Sequence, residues 1–141
     1  RSLFSRAHPF RLLPVEESIE QERENLSSQS VKLMPTVAAA IREYLGKVKD
    51  MNVRAFYEGF LKESLLGLAS CSEAIGDLSA SEKYYQDVAA FSPSDSVVWN
   101  NLGVIAIRQG QVEKAMVHFK KALAVDPSFA PARHNLELLS K

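Results

Sequence analysis

Apolar positions recur along most of this 141-residue chain at the spacing of one buried helix face. The clearest segment runs from Val97 to Pro127. Trp99, Leu102 and Gly103 fall at i, i+3 and i+4, and Gly110 interrupts the pattern. Ala115, Phe119, Ala122 and Leu123 then resume it until Asp126-Pro127 ends the run. This pattern predicts two antiparallel helices joined by a glycine turn. Upstream, Val53, Phe56, Tyr57, Phe60, Leu61, Leu65 and Leu68 keep near-continuous helical register. They predict one long helix over residues 53–75, with Gly59 as a weak point. Gly76-Asp77 makes the next turn. The helix that follows carries Tyr84, Tyr85, Val88 and Ala89, takes Ser79 or Ser81 as its cap and stops at Ser92-Pro93. Asp95 or Ser94 caps the tryptophan helix.

The first third is less regular. Pro14 can open a helix whose first turns hold Glu16, Glu17 and Glu20, with a thin apolar stripe of Val15, Ile19 and Leu26. The polar residues 27–30 read as a linker or a frayed helix end, and Pro35 is expected to end any helix begun at Val31. A new helix over residues 36–50 follows from Val37, Ile41, Tyr44, Leu45 and Val48, with Asn52 capping its successor. Residues 1–14 read as an extended arm rich in Leu3, Phe4, Phe10, Leu12 and Leu13. Arg1, Arg6 and Arg11 without any acidic neighbour also suit a targeting remnant.

The chain repeats itself. A shift of 34 residues carries Leu65 onto Trp99, Leu68 onto Leu102 and Ala69 onto Gly103. It also carries Gly76 onto Gly110, Tyr85 onto Phe119, Val88 onto Ala122 and Pro93 onto Pro127. Bulky positions meet bulky, small meet small, and both punctuating residues coincide. A helix pair at that period is the signature of a tetratricopeptide (TPR) array. Trp99, Leu102, Gly103, Gly110, Ala115, Phe119, Ala122 and Pro127 resemble the family motif, with Ala106 standing where the family usually carries an aromatic. The upstream copy is looser, with Leu65 for the tryptophan and Ser81 for the first alanine of the second helix.

The resemblance implies an all-α, right-handed α-solenoid of antiparallel helix pairs with a C-terminal capping helix. Repeats are expected over residues 62–95 and 96–129, and the cap over 130–140. Two repeats and a cap are near the minimum for a stable array. The expected order is therefore an arm (1–14), a degenerate helical unit (15–52) packed on the repeats, and the TPR domain (53–141).

Composition narrows the function. With 46% hydrophobic and 24% charged residues and zero formal net charge, the chain has no electrostatic commitment to nucleic acid. No apolar run reaches the roughly 20 residues of a membrane span. Cys71 is the single cysteine, so no internal disulfide forms. It reads as a small packing residue rather than a reactive thiol, and an intracellular, cytoplasmic setting fits, with an organellar one left open. Arg1 rather than methionine at the start suggests a piece of a longer protein.

The residues show no catalytic, metal or cofactor constellation: His8, His118 and His134 are scattered, and His118 reads as an exposed structural residue. The chain reads as a non-catalytic scaffold for protein partners within a larger assembly. The alternatives are an organellar assembly factor or a regulatory module of a larger enzyme. In the family, the first helices of successive repeats line a groove for an extended peptide or a helix. Carried over by register, the partner-facing positions are Leu66, Ser70 and Glu73; Asn100, Asn101, Val104, Ile107 and Arg108; and His134, Asn135 and Leu138. The two asparagines suit a peptide backbone, and Val104 and Ile107 an apolar floor, unless the chain's own arm covers them. Chaperone C-terminal tails are not expected. The subclass that grips them needs Lys and Asn where Leu66 and Ser70 stand, and basic residues where Pro131 and Asn135 stand; Asn101 alone matches.

Overall fold

A computed structural model describes residues 13–141. Among them six helices follow in order: α1 (Leu13–Leu45), α2 (Met51–Ala74), α3 (Leu78–Phe91), α4 (Ser96–Arg108), α5 (Val112–Val125) and α6 (Ala130–Leu139), with no strand. Each packs chiefly on its neighbour in sequence. Connections of three to five residues turn each helix back along the last. The fold is an all-α, TPR-like solenoid.

The turns are set by local chemistry. Gly76 and Gly110 take φ of +83° and +76°, the left-handed conformation that ends a helix. The Asp77 carboxylate then accepts from the Ala80 N–H at 3.0 Å, and Asp95 from the Val97 N–H at 3.0 Å. Asp77 therefore caps α3, not Ser79 or Ser81. Ser81 is fully buried at the position that the repeat pairs with Ala115.

The N-terminal reading needs correction. α1 is one helix through residues 27–30 and through Pro35. Proline there leaves the Val31 carbonyl without its helical donor. That loss is local, whereas Met34, Ala38, Ile41 and Leu45 form a continuous stripe packed on the first core. Tertiary burial outweighs it. α1 also stops at Leu45 rather than at residue 50. The Arg54 guanidinium donates to the freed Leu45 carbonyl at 2.9 Å and closes the end. Asp50, not Asn52, caps α2, accepting from the Asn52 and Val53 N–H groups. The expected arm falls outside the described residues except for its last two, which begin α1.

The core has two parts. The first joins Ala38, Ile41 and Leu45 of α1 to Leu61, Leu65 and Leu68 of α2, and these to Tyr85, Val88, Leu102 and Ile105. The second holds Ala106, Ala115, Phe119, Ala122 and Ala132. Trp99 packs against both and ties them together. Phe119, Leu65, Leu68 and Leu102 are fully buried, each contributing about 1.5–3 kcal/mol. Small residues permit this closeness: a Cβ on Gly103 would lie 2.4–2.7 Å from the Phe119 ring.

Candidate partner-binding groove

The 34-residue period brings polar side chains of successive hairpins into contact. Lys62 pairs with Asp95 at 2.7 Å, Arg108 with Glu73 at 2.8 Å, and Lys114 with Glu82. The Asn135 amide donates to the Asn100 carbonyl oxygen at 3.1 Å. Burial acts to raise the Asp95 pKa, but Lys62 and the N–H groups of Val97 and Val98 outweigh it and hold the carboxyl below its usual range. Each pair joins residues about one repeat apart, on successive hairpins.

α4 and α6 enclose an apolar pocket of about 210 Å³, with Val104, Ile107 and Arg108 on one wall and Asn135, Leu138 and Leu139 on the other. Phe119 forms its base. Five of the eleven expected partner-facing residues thus meet in one place: Val104, Ile107, Arg108, Asn135 and Leu138. Ile107 and Leu138 are exposed at the mouth.

The other six are placed differently. Asn100 is only 9% exposed and is held by Asn135 beneath the pocket. Asn101 is half-buried on α4, near the Tyr85 hydroxyl, whose pKa is raised by burial and by Glu73. Leu66 packs against the first core. Ser70 is exposed and Glu73 half-buried on α2, the latter reaching the pocket through Arg108. His134 is exposed on α6. Asn100 is therefore spent on holding α4 to α6.

Three features escaped the sequence. Phe119 and Leu139 line the pocket, although their spacing marks them as packing residues. His118 is half-buried, not exposed: it stacks on Trp99 with ring centroids 6.0 Å apart, and both its ring nitrogens lack a partner. Burial, then Lys114 and Lys121, pushes its pKa down. A second cleft of about 510 Å³ lies between α1 and α2, walled by Val37, Ala40, Tyr44, Phe56, Tyr57 and Phe60. The signal for it was the length of α2, whose first turns have no counterpart in the repeat. Among the described residues no helix is long and apolar enough to cross a membrane.

Part of the sequence is similar to known proteins. The peroxisomal targeting signal receptor of Kluyveromyces lactis is 32% identical over 78 residues, which is 55% of this chain and 14% of that receptor. The receptors of the same description from Candida glabrata and Saccharomyces cerevisiae are 34% and 32% identical over 56 residues. Those stretches are 40% of this chain and 10% and 9% of the receptors. The chain thus spans a small part of the relatives it matches. Together with the TPR-like fold, the likeness supports a role in protein interaction. Residues 65–140, more than half of the length, match the cilia and flagella-associated protein 70 middle TPR-like domain, and the chain belongs to that family.

Proposed function

We propose that this chain is a non-catalytic scaffold within a larger multiprotein assembly, and that it holds an extended segment of a partner protein across α2, α4 and α6. The repeats are taken as residues 62–95 and 96–129, with the cap at 130–140. The pocket between α4 and α6 carries the reading. Its volume suits one aliphatic or aromatic side chain, so a short segment with a single anchor fits better than the whole face of a helix. Val104, Ile107 and Leu138 supply the apolar contact. Arg108 and Asn135 offer donors to the segment's backbone or to a carboxylate. Ser70, Glu73 and His134 extend the same face on either side. The receptors that the chain resembles are named for receiving a targeting signal, which supports recognition of a short segment.

A peptide-display library selected on the immobilised chain supplies the test. Ile107→Glu with Leu138→Glu should weaken the selected peptides by at least about tenfold, the scale of anchor contacts. Phe56→Ser, in the distant cleft, should leave them unchanged. Undiminished binding to the double variant, with its helicity intact, would place the site elsewhere.

A further inference from the structure

Of the six prolines in the sequence, Pro93 is the one that follows a serine or threonine. Ser92-Pro93 opens the turn between α3 and α4, with Ser92 half-buried and Pro93 and Ser94 exposed. One period on, the same register reads Asp126-Pro127-Ser128. The two turns are built alike. The Ser92 N–H donates to the Val88 carbonyl at 2.8 Å, as the Asp126 N–H donates to the Ala122 carbonyl at 2.9 Å. The Asp95 N–H donates to the Ser92 carbonyl, as the Phe129 N–H donates to that of Asp126. Both proline carbonyls accept from a side chain six residues on, Pro93 from the Trp99 indole and Pro127 from the Arg133 guanidinium.

The turns differ by a charge. Asp126 sets a carboxylate at the first position, and the Ser128 hydroxyl and N–H donate to it at 2.7 and 3.0 Å. Ser92 sets a hydroxyl there, with Ser94 at the register of Ser128. A cation nevertheless reaches it. The Lys62 ammonium, on α2, donates to the Ser92 hydroxyl oxygen at 3.3 Å and pairs with Asp95 at 2.7 Å. The upstream turn thus offers an anion the same backbone frame as its copy, and a lysine besides.

We infer that Ser92 is a phosphorylation site for a proline-directed protein kinase, its phosphate held by Lys62 and the Ser94 N–H. In the transfer the Ser92 oxygen attacks the γ-phosphorus of ATP. The new O–P bond forms as the bond to ADP breaks, and the hydroxyl proton passes to the kinase's catalytic carboxylate. Proline at the next position has no N–H, so a kinase pocket without an acceptor there admits it at no cost. It also keeps Ser92 out of helical conformation. Asp95, three residues on, would suit a kinase that reads acidic residues, but Lys62 and the Val97 N–H already engage it.

The product carries close to two negative charges. The end of α3 disfavours an anion, as the end of α5 does at Asp126. Donors of the turn offset that at Asp126, and at Ser92 the Lys62 ammonium adds to them. Drawn to the phosphate, Lys62 exchanges its tie to the start of α4 for one to the end of α3. This site shares no residue with the α4–α6 pocket, so either reading can fail alone.

Treating the whole folded chain with a cyclin-dependent kinase and ATP should add one phosphate, which fragmentation mass spectrometry should place on Ser92. Ser92→Ala and Pro93→Ala should each abolish the labelling. Phosphorus NMR of the product should follow its second ionisation, at about pH 6 in a free phosphoserine. Lys62→Gln should move that ionisation upward. Four results would each overturn the inference: no label under conditions that label a Ser-Pro peptide, a phosphate on another residue, labelling that survives Pro93→Ala, or an ionisation that Lys62→Gln leaves in place.

Discussion

Gly103 presents bare backbone to the face of Phe119: a Cβ there would sit 2.4 Å from the ring. The ring is fully buried and cannot swing away without opening the second core. Gly103→Ala should therefore cost about 1–3 kcal/mol, the range for overpacking, even though alanine is the better helix former. Phe119→Leu should also destabilise, by leaving a void. The two together should cost less than the sum of the single changes, because the smaller side chain makes room for the methyl. Thermal unfolding of the four proteins measures this coupling, and strict additivity would mean that the contact is not the constraint.

Ser72 and Ser81 are fully buried on facing helices, and neither hydroxyl has a hydrogen-bond partner. The 34-residue shift places Ala106 and Ala115 at the same two positions of the next repeat. An unpaired buried hydroxyl costs about 1–3 kcal/mol. Ser72→Ala and Ser81→Ala should each leave stability unchanged or raise it, on the order of 1 kcal/mol. A clear loss in chemical denaturation would reveal a polar role for these side chains.

His118 stacks on Trp99, the single tryptophan, with Lys114 and Lys121 nearby. Burial and the two lysines hold its folded pKa down. As pH falls through about 6.5, the unfolded chain takes up its proton first. Stability should therefore be full above that pH and decline below it, levelling once the folded ring is protonated too. The depressed carboxyls of Asp95 and Asp126 act in a lower window, lost only as pH falls through the acid range. Trp99 fluorescence should report the same His118 titration. His118→Gln should flatten the stability profile just below about pH 6.5, and a slope surviving in that variant would assign it to another group.

Glu73 neutralises Arg108 at the edge of the pocket, at 2.8 Å and partly exposed. Exposed pairs of this kind contribute about 0–1 kcal/mol, so Glu73→Gln should barely change the melting temperature. It should free Arg108 for an acidic group on the bound segment. Peptides with a carboxylate beside the anchor should then bind the variant more tightly at low salt, and the gain should shrink as salt screens it. Equal affinities in isothermal titration calorimetry would show that Arg108 does not face the ligand.

The repeats were legible because their signal is local and doubled: Gly76 and Gly110 turn, Ala69 and Gly103 pack, and Tyr85 and Phe119 fill, each one period apart. α1 was not. Pro35 and residues 27–30 carry strong local signals for a break, while what carries the helix through is burial against α2, which no window of sequence contains. Which of the expected partner-facing positions come together was legible as far as the period held. Val104, Ile107, Arg108, Asn135 and Leu138 share a pocket because α4 and α6 are equivalent first helices. Asn100 departs because it bonds Asn135, the counterpart of its neighbour Asn101 one repeat on, a contact that exists only once the hairpins stack.

Amide chemical-shift mapping of the labelled chain, titrated with a display-selected peptide, tests the pocket most directly. The prediction is that the largest changes cluster at Ile107, Arg108, Asn135 and Leu138 and weaken toward Glu73 and Ser70. Changes centred instead on the outer helices, at Val112 and Val117 of α5 or Lys83 and Gln86 of α3, would contradict a site between the first helices of successive repeats.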